Sequence, residues 1–284
     1  MGFFELLLSG NLGFLKNVFI VMILSSLPIG VVGSFVVVNR ITYIAGAISH
    51  SVLGGIGLAI YLSVVWGINF FTPSLGAFIF AVISALVIIL LSLWGHERID
   101  TAISVVWIVG MSIGLLFAFF TPRYTDIQSY LFGNILLLSV EDVYWVLGVS
   151  VIVVLVVYMF FHQLVLVSFD KDFSKVRRVD PNIFFSILVI LISLTTLLLI
   201  KTVGVILSIT LITIPPAIAN MFSKKLSRII LISVFIVLVS QFFGLWMSYE
   251  FDTPTGITVS LLLSFLYIVS FIFVKVLRIL PSKT

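Results

Sequence analysis

The sequence predicts an all-α, polytopic integral membrane protein with about eight or nine transmembrane helices. Of its 284 residues, 62% are hydrophobic and 9% are charged, whereas about 25% are charged in ordinary soluble domains. Uncharged stretches follow one another along the chain, and no Asp, Glu, Lys or Arg lies between Arg40 and Glu97. A crossing needs about 20 such residues. These observations exclude a water-soluble protein and favour one transmembrane domain over residues 1–284.

The apolar stretches place the helices in order. We predict them over residues 14–38, 44–66, 73–94, 101–120, 143–167, 182–200, 204–218, 229–248 and 256–275. Pro73 suits a helix start, whereas Pro28 and the pair Pro215-Pro216 are expected to interrupt the first and seventh helices. If the short seventh helix merges with its neighbour or re-enters, the total falls to eight and the N-terminus could lie inside. Residues 1–16 lack a basic segment ahead of their apolar residues, so insertion is expected to use the first helix.

Basic residues predict the orientation, because they concentrate in the cytoplasmic loops of membrane proteins. With the N-terminus outside and alternating loops, only Lys16, Arg123 and Lys201 fall outside. The other twelve fall inside: Arg40, Arg98, Lys171, Lys175, Arg177, Arg178, Lys224, Lys225, Arg228, Lys275, Arg278 and Lys283. The net charge of +4 is therefore interpreted as a topology signal, and no nucleic-acid partner is expected.

Two inner segments, residues 168–181 and 215–228, carry many of these charges. They are too short to fold alone but long enough for a short helix at the membrane surface. Such a surface suits the docking of a cytoplasmic partner.

Ionisable groups at membrane depth are rare and are functional candidates by default. His50 lies within the second predicted helix, and a neutral imidazole is the commonest metal ligand. The alternative is a structural histidine, bonded to the hydroxyl of Ser49 or Ser51 or to a carbonyl of a neighbouring helix. The nearby glycines are expected to be packing surfaces between helices rather than a ligand cradle: Gly54, Gly55 and Gly57.

Four other polar residues are weaker candidates. Gln241 is expected to hydrogen-bond across helices or to line a pathway. Glu250 and Asp252, at the outer rim, could attract cations or remain solvated loop acids. His162 is expected to reach the headgroups.

Motifs of catalysis are absent from the sequence. It contains no cysteine, no Walker A motif, no HExxH pair and no GxSxG elbow. We therefore predict a path through the membrane that takes its energy from elsewhere, rather than an enzyme, and no cofactor of its own.

Several motifs, in order along about 260 residues, resemble the permease subunits of zinc and manganese ABC importers. The second-helix signature runs through His50, and VVVNR precedes it at residues 36–40. The other matching stretches are residues 100–103, 131–136, 167–170, 203–207, 214–219 and 252–256.

The resemblance implies a compact importer permease bundle in the bacterial cytoplasmic membrane. It implies a homodimeric or pseudo-twofold permease, with a second identical copy as the expected partner, two cytoplasmic ATP-binding subunits and an extracytoplasmic metal-binding protein. His50 matches the family histidine of the translocation path, which Gln241, Glu250 and Asp252 would extend. The segment 215–228, together with 168–181, would contact the ATPase through Pro215, Pro216, Ala217, Ala219, Met221, Lys224, Lys225 and Arg228.

The residue four positions before His50 bears on which metal is transported. Many family members carry an aspartate four residues before the histidine, where this chain has Gly46. Imidazole suits zinc and carboxylate suits manganese, so we expect Zn²⁺ as the substrate rather than Mn²⁺ or Fe²⁺. Alternatives are a permease for an iron chelate, haem or cobalamin, an autonomous secondary carrier and, least favoured, an intramembrane enzyme.

Overall fold

A computed structural model describes residues 13–93, 98–122, 131, 133 and 138–279. This part of the chain is helical and contains no strand. Its helices are α1 Gly13–Val38, α2 Thr42–Trp66, α3 Pro73–Leu93, α4 Ile99–Phe120, α5 Val140–Met159, α6 Phe161–Phe169, α7 Lys171–Val176, α8 Pro181–Phe222, α9 Leu226–Phe251 and α10 Thr255–Ile279. Residues 1–12, for which no cleaved leader was expected, residues 94–97 and most of the matching stretch 131–136 lie outside the described residues.

Eight of these helices are long and apolar enough to cross a membrane, which confirms the predicted fold class. Local sequence sets several of their starts. Thr72 Oγ1 accepts from the backbone N–H of Leu75 just before α3. At the start of α5, Ser139 and Asp142 cap one another in a capping box, so this helix begins three residues earlier than predicted.

The long helix α8 contains the predicted sixth and seventh helices. Its 42 residues would span about 63 Å if straight, but the backbone bends at Gly204, where φ is 82° and ψ is 174°. Before the bend, Lys201 Nζ lies 3.0 Å from Asp142 Oδ1 at the start of α5. After it, the Ile212 carbonyl lies against Gly33 near the end of α1. The two arms therefore run in opposite directions through the bundle.

Side-chain bonds fix which helix ends lie together. Asn17 near the start of α1 donates to the Leu138 carbonyl just before α5 at 3.1 Å. Asn39, just after α1, donates to Ser168 Oγ near the end of α6 at 2.8 Å. The arrangement agrees with the predicted alternation, since Arg40 and the basic segment 168–181 lie at one end and the Lys201–Asp142 pair at the other.

Two predicted interruptions are wrong. α1 continues through Pro28, and α8 continues through Pro215 and Pro216 to Phe222. Proline is tolerated in membrane helices where neighbouring groups compensate for the lost backbone bond, and the Pro216 ring packs against Gly33 of α1. The connection expected between the predicted helices 204–218 and 229–248 is consequently only three residues long, because α8 ends at Phe222 and α9 begins at Leu226.

The core lies where α1, α2 and α8 meet, and its fully buried side chains include Ile29, Phe35, Ile44, Ile48, Leu198 and Leu207. The outward faces of α4 and α10 are apolar and exposed, as at Phe119 and Phe265. Acyl chains are as apolar as leucine, so a bilayer solvates these faces.

A glycine seam brings α2 close to α3 and α4. A Cβ on Gly54 would lie 2.5 Å from the Gly110 carbonyl oxygen, and one on Gly57 would lie 2.6 Å from that of Gly114. Gly55 meets the backbone of Gly76 in α3 in the same way. The prediction that the α2 glycines are packing surfaces is confirmed.

Candidate functional site

His50 lies in α2 and is half-buried. Its Nδ1 is buried and has no hydrogen-bond partner among the described residues. The neighbouring hydroxyls are engaged elsewhere: Ser49 Oγ lies 3.2 Å from Ser208 Oγ of α8, and Ser51 Oγ accepts from Ser84 Oγ of α3 at 2.7 Å. Among the described residues, neither serine bonds Nδ1, and the choice between a structural and a functional histidine stays a prediction.

The imidazole instead stacks on Trp107 of α4. The ring centroids lie 4.6 Å apart and the planes differ by 18°. The same indole covers Gly46, one turn before His50, where a Cβ would lie 3.1 Å from Trp107 Cζ3. Nothing in the sequence pointed to Trp107, because helical periodicity does not say which aromatic residue of a neighbouring helix faces a given turn.

Gln241 lies in α9 and is 2% exposed. Neither amide atom has a hydrogen-bond partner among the described residues, so the expected bond across helices is absent there. α9 packs mainly on α1, α8 and α10, whereas the His50 helix packs mainly on α3, α4 and α8. Gln241 and His50 therefore belong to different helix clusters that share α8.

Glu250 and Asp252 lie at the far end of α9 and are both exposed. Asp252 ends the helix in a left-handed conformation, with φ 50° and ψ 46°. Glu250 lies nine residues beyond Gln241, about 14 Å along the helix axis. These carboxylates are rim residues, as predicted, and no described contact joins them to His50.

The predicted ATPase-facing residues divide by burial. Pro215, Pro216 and Ala219 are buried in the bundle, and Ala217 and Met221 are half-buried. The exposed members are Lys224, Lys225 and Arg228. In the second inner segment, α7 forms the predicted short helix, with Phe173 and Lys175 exposed. Only the exposed residues present an accessible surface.

The structure does not gather the predicted path residues into one site. Within the described ranges, no group of three or more His, Cys, Asp or Glu residues could hold a metal ion. Around His50, the described ring contact is that between one imidazole and one indole. Such a site can offer one nitrogen ligand to a passing cation without trapping it in a cage.

These features define a multi-pass α-helical membrane protein. Among the described residues, His50 is the only histidine within a membrane-spanning helix. Residues 11–274 match the ABC 3 transport family, and the chain belongs to this family. It is a transport component, the membrane-spanning permease of a metal ABC importer.

Relatives agree with this assignment. The chain is 36% identical over 243 residues to the "Probable metal transport system membrane protein" of Chlamydia pneumoniae, covering 85% of this chain and 82% of that protein. It is 31% identical over 270 residues to the manganese import system permease protein ScaB of Streptococcus gordonii, covering 95% of each. Among solved structures, PsaBC from Streptococcus pneumoniae in complex with Fab has a TM-score of 0.77 and 27% identity, covering 91% of each chain. The family resemblance predicted from the motifs is confirmed.

Proposed function

We propose that this permease carries a divalent first-row transition metal past His50 in an ATP-driven importer. The observation that supports the proposal best is a half-buried histidine, His50, within a membrane-spanning helix of a chain of a metal-importer family. Ionisable side chains are rare at membrane depth and mark functional sites by default. Gln241, Glu250 and Asp252, which lie in a different helix cluster, are left out of the proposed path.

The cargo is proposed as manganese or zinc, with manganese to be tested first. The sequence favoured zinc because Gly46 supplies no carboxylate, and no carboxylate cluster is found among the described residues. The name of ScaB, with 95% coverage of both chains, favours manganese instead. Carbonyl oxygens and waters are also oxygen ligands that suit manganese, so the missing carboxylate does not exclude it.

The proposed partners are a cytoplasmic ATP-binding subunit, an extracytoplasmic metal-binding protein and a second permease copy. The ATP-binding subunit is proposed to dock at the turn between α8 and α9. Phe222 is 50% exposed there, beside the exposed Lys224, Lys225 and Arg228. An exposed aromatic side chain beside positively charged ones is complementary to an apolar groove with acidic residues at its edge on the partner.

The path is tested by metal uptake into proteoliposomes that contain this chain with its ATP-binding and metal-binding partners. Mn²⁺, Zn²⁺ and Fe²⁺ are compared at matched free concentrations. His50→Ala is expected to abolish ATP-dependent uptake of the cargo, while His162→Ala, at an exposed histidine of α6, retains it. Uptake by His50→Ala at the wild-type rate would refute the assignment of His50, and uptake without ATP would indicate a secondary carrier.

Docking is tested by reversing charge at the proposed surface. The double variant Lys224→Glu, Lys225→Glu should lower co-purification of the ATP-binding subunit and uncouple ATP hydrolysis from transport. Lys275→Glu, an exposed base near the end of α10, is the matched control. Equal co-purification of the two variants would place the docking surface elsewhere.

A further inference from the structure

The orientation of the His50 ring needs an explanation. In most protein metal sites, the second ring nitrogen of a ligating histidine donates to a carboxylate, carbonyl or water, and this bond fixes the ring. Among the described residues, His50 Nδ1 has no such partner, and both adjacent serine hydroxyls are bonded elsewhere. Another contact must hold the imidazole.

The stacked indole supplies that contact. The rings are nearly parallel, at 18° and 4.6 Å between centroids, so Trp107 covers one face of the imidazole. Ring nitrogens bind in the plane of the ring, and stacking leaves that plane open. The indole therefore restricts the ring without competing for its lone pair.

Close helix packing explains why Trp107 reaches this position. Gly110 and Gly114 follow Trp107 at three and seven residues, so the three lie on the same face of α4. Both glycines meet the backbone of α2, and this approach presses the indole onto the turn that holds His50. Gly46 leaves the space: even a methyl group there would lie 3.1 Å from the indole.

We propose that Trp107 is a positioning residue for the metal path, and that its indole replaces the hydrogen bond that usually orients a ligating histidine. Gly46 contributes to this arrangement, because the absence of a side chain there lets the indole of Trp107 lie over both Gly46 and His50. The inference rests on the proposed function of His50.

The first test compares Trp107→Leu with Trp107→Phe in the uptake assay. Leucine fills apolar volume without a flat face, whereas phenylalanine keeps a face for stacking. Trp107→Leu should raise the KM for metal by about two- to tenfold, the range for losing one aromatic stacking contact, with a smaller change in maximal rate. Trp107→Phe should stay close to the wild type.

A purely structural role gives a different pattern. Both variants would then lower the amount of folded permease and the maximal rate, and leave the KM unchanged. That outcome would overturn the inference, as would a wild-type KM in Trp107→Leu. Gly46→Ala provides a second route, since it displaces the indole without removing it, and should raise the KM in the same direction.

The second test needs no transport. A variant that retains Trp107 alone, with Trp66, Trp94, Trp145 and Trp246 replaced by Phe, reports on the stacked indole by fluorescence. Co²⁺ is the probe, because it accepts imidazole ligands and quenches nearby indoles. Saturable quenching that disappears on adding His50→Ala is expected. Quenching that survives this change would show that His50 does not hold the metal near Trp107, which would overturn the proposed function of His50 and with it the inference that rests on it.

The two proposals fail separately. If His50→Ala transports normally, His50 is not on the path and the proposed function of this residue fails. If His50→Ala is inactive while Trp107→Leu has a wild-type KM, only the positioning role fails.

Discussion

Gly54→Ala is expected to destabilise the bundle through the glycine seam. The added methyl group would lie 2.5 Å from the Gly110 carbonyl oxygen and 3.0 Å from Phe80 Cε1. The Phe80 ring can rotate, but the carbonyl belongs to the backbone of α4. The methyl group is therefore accommodated only if α2 and α4 separate.

The size of the effect follows from this geometry. Ordinary Cβ contacts begin near 3.4 Å, so α4 must retreat by about 0.9 Å. A gap of about 0.5–1 Å forfeits a quarter to a half of the dispersion attraction between facing atoms. Added methylenes in well-packed cores cost about 1–3 kcal/mol, and we expect Gly54→Ala to fall in that range.

Thermal unfolding of the detergent-solubilised permease measures this cost. Gly148→Ala is the matched control, because Gly148 lies inside α5 and its Cβ would meet no atom within 4 Å. Alanine is the better helix former by about 1 kcal/mol, so the control should be neutral or stabilising. Equal unfolding midpoints for the two variants would show that close packing at the seam does not stabilise the fold.

Three further predictions concern the bend of α8 and the seam. Gly204→Ala should destabilise by about 1–3 kcal/mol, since its conformation is essentially restricted to glycine; thermal unfolding against Gly148→Ala measures this, and a neutral result would argue against the bend. Lys201→Met should cost about 0.2–1 kcal/mol for a partly exposed ion pair, and a double-mutant cycle with Asp142→Asn at low salt should give a coupling energy of that size; additive effects would mean that the pair contributes nothing. Gly110→Ala should resemble Gly54→Ala in its unfolding midpoint, because its Cβ would meet the side chain and backbone of Ser51, and a wild-type midpoint would count against the seam.

Much of the fold was predictable because a bilayer imposes a simple rule. Every backbone polar group must be satisfied within the segment, so long apolar stretches become helices. The predicted helix over residues 14–38 is α1 nearly to the residue. The predicted break at Pro28 was wrong because one missing backbone bond is a local cost, whereas the packing of the whole helix determines whether it continues.

The candidate site was predictable only in part. His50 and Gln241 could be singled out because polar groups are rare at membrane depth, and residue rarity is a property of the sequence. Their separation into different helix clusters could not be predicted, since it depends on which helices pack together. The buried position of Ala219 was missed for the same reason, because neither composition nor the resemblance says which side of a helix end is covered.

By itself, the sequence determined the membrane class, the number of apolar segments, the alternation of charge and the family, because these depend on composition and on residue order. Only the tertiary structure decided that Trp107 lies over Gly46 and His50, that Lys201 meets Asp142, and that α8 turns back at Gly204. The physical reason is that these contacts join residues far apart in the chain. They arise from the close approach of helices whose glycines permit it, and local sequence does not encode which helices meet.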